Sequence, residues 1–304
     1  MRVAKKWILI SLLAIIAAAT FGWGLYTTRA MRAACVLQAS DGAVAILTAD
    51  NGQSAAANET RGMRRIASFR TSIATSGADR RHNVALATSN FSWLAVQPGG
   101  VLSFNAVVGL RTIERGYREA KVIVGGEYVP GVGGGVCQVS STLYNAWIRA
   151  GLGVESVRAH SLPSSYCDLS QDATVTEWID LVLVNDSNAD VLINGYLDGD
   201  RVVFDLYGTP SGYEIEIVSE IERTVPPPAA ETIYVPTLDG YGAIQTDEYG
   251  SYVTLRASKN GLCTLAREIR RRDGQIVSER VLRRDTYATV QGKIARVQSA
   301  SDTP

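Results

Sequence analysis

Two histidines in 304 residues leave little material for acid–base chemistry. His82, in "DRRHN", follows two arginines in a polar loop and reads as a solvated surface residue. His160, in "RAHSLPSSY", is then the one candidate base that titrates in the right range. Cysteine is also scarce. Cys35, Cys137, Cys167 and Cys263 show no CxxC and no Cys/His spacing, which argues against a structural zinc, and no metal or cofactor is expected. Charge of one sign is missing too. Lys+Arg and Asp+Glu number 30 each, so there is no basic field for nucleic acid and no acidic solvating tail. The glycine-rich run ahead of Cys137 is not followed by GKS or GKT, so the Walker pattern fails. No GxSxG elbow surrounds Ser140 or Ser141. No internal repeat of significant length is visible.

A long apolar run occurs once. "WILISLLAIIAAATFGWGLY", from Trp7 to Tyr26, carries no charge and is long enough to span a bilayer as a helix. Trp7, Trp23 and Tyr26 stand near its ends, where aromatic belts form, with Arg2, Lys5 and Lys6 ahead of it. The run exceeds a usual signal-peptide core, so a retained anchor over residues 1–28 is expected in preference to a cleaved leader. The bulk of the chain then lies outside the cytoplasm, as a single-pass protein of the cell membrane. In that compartment the four cysteines can form two disulfides by any of three pairings.

Residues 29–65 are rich in Ala, Ser, Asn and Gly and read as a flexible tether. Beyond them a mixed pattern begins. "SFRTSI" alternates as a strand, and "NVALATSNFSWLAV" reads as a helix with Asn83 as a possible cap. "QPGG" forces a turn, and the Gly-Gly of "VIVGGEYV" closes a hairpin. After residue 152, β-branched alternation broken by Asn, Asp and Gly predicts strands in "VESVRAHS", "DATVTEWIDLVLVN" and "DVLINGYLDGDRVVFDLYG". "VPPPAAE" is a stiff spacer, followed by candidate strands in "SYVTLRAS", "QIVSERVLRR" and "KIARVQ". The expected class is α+β: a mixed helix and antiparallel-sheet core, an N-terminal transmembrane helix, and a small β-rich C-terminal tail.

The densest signal is "GVGGGVCQVSSTLYNAWIRAGL", residues 131–152. Val139, Leu143, Ala146 and Ala150 share one helical face, and Gly151 is a natural stop. Ser140, Ser141 or Thr142 can cap the start. Cys137 therefore sits at or just before the first turn, where unsatisfied N–H groups favour an anion such as a thiolate. Gly133, Gly134 and Gly135 can aim N–H groups at one point, as an oxyanion hole requires. His160, expected on the first strand after the helix, is the matching base, with Asp172 or Asp180 to orient it. Blander readings stand beside this one. The glycines also suit a tight turn, and Cys137 can equally be a partner of Cys167 in a disulfide.

The same stretch, with "PGGVLSFNAVVGLRTIERGYREAKVIVGGEYVPG" before it and "HS", "DATV", "IDLVLVN" and "LYG" after it, resembles the VanW family over about residues 66–210. The remainder, 211–304, with "PPP" and "RRDTY", resembles a G5-like extension. Leu102 departs from the family's usual Phe, and Cys167 lies outside its pattern. The resemblance implies an extracytoplasmic cell-envelope protein. It also implies a cysteine-dependent L,D-transpeptidase forming 3-3 cross-links between peptidoglycan stem peptides, with Cys137 as the matching nucleophile and His160 as the matching base; Asp172 joins them in the candidate catalytic set. The alternative is a non-catalytic peptidoglycan-binding module. Arg111, in "GLRT", is a candidate for the donor carboxylate, since its fork suits bidentate binding. Gln138, Ser140, Ser141 and Ser161 complete the expected substrate-binding set.

Overall fold

The computed structural model describes residues 36–38, 44–46, 63–124 and 127–297. The expected membrane helix and most of the tether lie outside the described residues. A two-stranded ribbon pairs β1 (Val36–Gln38) with β2 (Val44–Ile46). The elements of the core follow: β3 (Arg64–Ser72), α1 (Ala78–Thr88), β4 (Leu94–Val96), β5 (Val101–Ser103), α2 (Phe104–Val108), β6 (Glu119–Val124), β7 (Glu127–Val132), α3 (Val136–Arg149), β8 (Gly153–Ser156), β9 (Val182–Val184), β10 (Val191–Asp198) and β11 (Arg201–Gly208). The extension adds β12 (Glu214–Val225), β13 (Glu231–Val235), β14 (Ile244–Asp247), β15 (Gly250–Arg256), β16 (Gly261–Arg272), β17 (Gln275–Tyr287) and β18 (Lys293–Val297). The described chain is mostly strand.

An antiparallel sheet in the order β3-β11-β10-β4 forms one wall of the core. Helix α3 lies against it. Its predicted apolar face is buried as expected: Val139, Leu143 and Ala146 are fully enclosed and Ala150 nearly so. Its other faces are covered as well. Ser140, Ser141, Thr142 and Asn145 are all buried, a burial permitted by full hydrogen bonding. Thr142 Oγ1, for example, bonds Thr71 Oγ1 on β3 at 2.8 Å. A helix enclosed on all sides is a central strut rather than a surface helix. Gly151 adopts φ +77° just beyond its end, as the stop signal requires.

Several expectations are corrected. The first helix covers Ala78–Thr88 rather than running on from Asn83 to Val96. A 3-10 turn over Ser89–Phe91 and a positive φ of 54° at Trp93 break it, and Leu94–Val96 joins β10 as an edge strand instead. Asn83 is therefore no cap. It is buried in mid-helix, and its amide donates to the carbonyls of Arg118 and Gly134 at 2.9 and 3.1 Å. Strand β8 ends at Ser156, so His160 is on an irregular segment rather than a strand. Of "DATVTEWIDLVLVN" only Val182–Val184 is a strand; the Thr176 hydroxyl accepts the N–H groups of Trp178 and Ile179 and turns the chain before β9.

The C-terminal part is larger than a tail. It holds an antiparallel sheet β12-β16-β17 and a second sheet β13-β18-β15-β14, joined through the proline spacer. Ile217 of β12 and Leu282 of β17 pack on the core cluster that contains α3. The first extension sheet thus shares a hydrophobic core with the residues before it.

Candidate active site

Cys137 is the second residue of α3, after Gly135 in a left-handed cap conformation with φ +108°. The serines and Thr142, expected as caps, lie inside the helix. Ser140 Oγ donates to Ala173 O at 2.6 Å, and Ser141 Oγ donates to Cys137 O at 2.7 Å. Ser141 Oγ in turn accepts the Ala173 N–H at 2.9 Å. These hydroxyls bind the segment around Asp172 to the helix that carries Cys137. They are fully buried and do not reach the cleft described below.

The close approach has two consequences. The Cys137 thiol meets the Val175 main chain, with Sγ 3.4 Å from the carbonyl oxygen and 3.5 Å from the N–H. Asp172, next along the same segment, reaches His160. Its Oδ2 accepts the His160 main-chain N–H at 2.6 Å and bonds Nδ1 at 2.5 Å. With Nδ1 committed to the carboxylate, Nε2 is the nitrogen left for the cleft that Cys137 also lines. Asp180, the other candidate orienter, is occupied elsewhere. It accepts Ser103 Oγ at 2.5 Å and the Asn105 N–H at 2.9 Å, at the start of α2. Cys167 and Cys263 are free thiols, as is Cys137, so the Cys137–Cys167 bridge left open by the sequence is absent. Burial pushes the Cys167 thiol up to about 12, which keeps it protonated and inert.

Electrostatics separate the pair at Cys137 from that inert thiol. Burial pushes the Cys137 thiol upward, but the adjacent His160 imidazolium, the Val175 N–H and the Arg111 guanidinium outweigh it and hold the thiol below its ordinary value. Burial lowers His160, yet its bonds to Asp172 and Cys137 raise it to about 9. Asp172 is held below the usual carboxylate range against the cost of burial by the His160 bonds and by Tyr287. The combination favours a thiolate beside an imidazolium that is braced by a carboxylate.

A cleft of about 1150 Å³ opens onto this pair, lined among others by Cys137, His160, Arg111, Tyr166 and Gly133–Gly135. A Cβ on Gly134 would lie 2.8 Å from the Ala120 carbonyl, and one on Gly133 2.8 Å from Arg111 Cβ. Gly134 is thus required for close packing beneath the ribbon β6–β7, and Gly133 for packing against Arg111. The Gly133 N–H is spent on Arg118 O at 3.0 Å. The N–H groups of Gly134, Gly135 and Cys137 have no acceptor among the described residues. Arg111 donates from Nη1 to Asn105 Oδ1 and Gly109 O, at 2.8 and 3.2 Å, and its other N–H groups have no acceptor there. Gln138 also lines the cleft, but Arg80, Thr71 and Ser72 take up its amide. Ser161 lies outside the cleft, at a smaller cavity of about 560 Å³ on the far side of His160, and its carbonyl accepts the Ala288 N–H at 2.8 Å.

Four contributors escaped the sequence reading. Val175 acts through its main chain, which no motif reports. Tyr166 stands edge-on to the His160 ring at 6.4 Å, in a Ser/Pro-rich stretch that carried no periodic signal. Tyr287 and Arg283 come from the extension: Tyr287 Oη donates to Asp172 Oδ1 at 2.6 Å, and Arg283 Nη1 donates to the Asp172 main-chain oxygen at 2.8 Å.

The family model described as "VanW like protein" matches residues 79–207. The chain is 40% identical over 137 residues to the "Uncharacterized protein YoaR" of Bacillus subtilis (strain 168), covering 44% of this chain and 45% of that one. It is 28% identical over 127 residues to the "Vancomycin B-type resistance protein VanW" of Enterococcus faecalis (strain ATCC 700802 / V583), covering 40% and 46%. The match thus spans about half the length of these curated relatives. No solved structure matches the chain significantly.

Proposed function

We propose that the chain belongs to the VanW family, whose model matches residues 79–207, and that it is a membrane-anchored, extracytoplasmic cell-wall protein that transfers acyl groups through Cys137. The reaction is of the L,D-transpeptidase type, on peptidoglycan stem peptides. The observation that carries this reading is the free Cys137 thiol at the α3 N-terminus, lining one cleft with an imidazole whose Nδ1 is held by Asp172. A purely wall-binding module has no need of that constellation. The vancomycin-resistance name of one relative sets the same cell-wall context.

In the proposed cycle the thiolate attacks the carbonyl of the donor's penultimate residue and a carbon–sulfur bond forms. The carbon–nitrogen bond to the terminal D-alanine breaks, and His160, protonated at neutral pH, gives its proton to the leaving amine. The unpaired N–H groups of Gly135 and Cys137 are the candidate oxyanion donors, and the unpaired arm of Arg111 suits the donor carboxylate. An acceptor amine then attacks the thioester, its proton passes to His160, and the carbon–sulfur bond breaks to restore the thiolate. The extension fits the same proposal as a G5-like module. Expressing the full chain in a host lacking its own L,D-transpeptidases tests this. New 3-3 dimers in digested wall are expected with the wild type and none with Cys137→Ala; dimers that persist in the variant refute the nucleophile.

A further inference from the structure

The strand that ends in Tyr287 meets the acid–base pair at several points. Tyr287 is buried, and its phenol is fixed from both sides. It donates to Asp172 Oδ1 at 2.6 Å and accepts the Ser170 N–H at 2.8 Å. A phenol has one proton, so the bound N–H fixes the direction of donation. The next residue is anchored too, since the Ala288 N–H bonds the carbonyl of Ser161, immediately after His160. Earlier on the strand, Arg283 holds the Asp172 main-chain oxygen while it grips Asp285 with two bonds of 2.8 and 2.7 Å. The extension therefore braces both the side chain and the main chain of the residue that orients His160.

The two carboxylate oxygens of Asp172 are served unequally. Oδ2 takes both bonds from His160, whereas Oδ1 receives only the Tyr287 phenol among the described residues. Without that donor a buried anionic oxygen is left bare, which is costly. The carboxylate relieves the cost by taking a proton or by turning, and either response frees the imidazole. We infer that the extension is an obligate part of the reaction centre, with Tyr287 the positioning residue that keeps Asp172 ionised and aimed at His160. This rests on the thiolate reading of Cys137 above. It also goes past the family match, which stops at residue 207.

The test is the rate of Cys137 alkylation by iodoacetamide against pH, on the full chain with Cys35→Ser, Cys167→Ser and Cys263→Ser as background. The background protein is expected to react well below the pH of an ordinary thiol. An ordinary-thiol profile there sinks the thiolate reading, and this inference with it. Given a low acid limb, Tyr287→Phe is expected to move it up by about one pH unit, a tenfold loss of rate at a fixed acidic pH. The sign follows from Asp172: losing a donor raises its pKa, so the support for the ion pair fails at higher pH. 3-Fluorotyrosine at 287 keeps the shape and is a stronger donor, so its limb is expected to move down; this variant decides the matter if Phe impairs folding. A purely structural tyrosine would change melting temperature and leave both limbs on the background curve, which would overturn the inference.

Discussion

A cysteine at a helix start is a weak signal by itself, and the neighbours of Cys137 are what give it chemistry. His160 supplies the counter-charge, and Asp172 keeps His160 charged. The shifts predict a particular pH behaviour. Above the depressed thiol value and below about 9, the pair is thiolate and imidazolium. At higher pH the imidazolium loses its proton, so the proposed acyl transfer loses its acid while the thiolate remains. Turnover is therefore expected to fall through pH about 9 while alkylation by iodoacetamide stays on a plateau. Parallel decline of both would show that His160 is not the acid. Stability follows with the sign of each shift. The raised His160 contributes stability below the ordinary imidazole value and loses it as pH rises through about 9. The depressed Asp172 contributes above the ordinary carboxyl value and loses it as pH falls. Melting temperatures measured across pH should thus decline at both ends.

Among the elements, α3 does most of the positioning. Its polar positions are buried struts: Ser140 and Ser141 fasten the Asp172 segment to the turn that bears Cys137. Ser141→Ala leaves the buried Ala173 N–H without its acceptor, an expected cost of about 1–3 kcal/mol. Urea titration checks this as a lower midpoint at unchanged slope; an unchanged midpoint would show that the bond contributes nothing. The glycine run is an element-level feature as well. It lets the ribbon β6–β7 close over the helix start, where a Cβ on Gly134 would strike the main chain of Ala120. That packing leaves room for the proposed oxyanion role, since only the Gly133 N–H is consumed.

For the whole molecule, what was legible in the sequence was what periodicity and local chemistry encode. The apolar face of α3, the Gly151 stop, the strands β3 and β15, and the candidates Cys137 and His160 all carried local signals. The extension's central strand β16 did not: "GLCTLAREIRRR" reads as a charged, solvated run. It is paired on both sides, and the buried Glu268 is neutralised by Arg270 two residues along the strand and by Arg280 across the sheet. The choice between Asp172 and Asp180, and the reach of Tyr287 into the site, depend on pairings between distant segments that no window of sequence contains. The central claim is that Cys137 becomes acylated by a stem peptide. Intact-mass spectrometry of the full chain mixed with a tetrapeptide muropeptide tests it most directly. The account predicts an adduct of the muropeptide minus D-alanine, mapped to the peptide that carries Cys137 and absent in Cys137→Ala. A chain that stays at its unmodified mass, while its thiol still reacts rapidly with iodoacetamide, would contradict it.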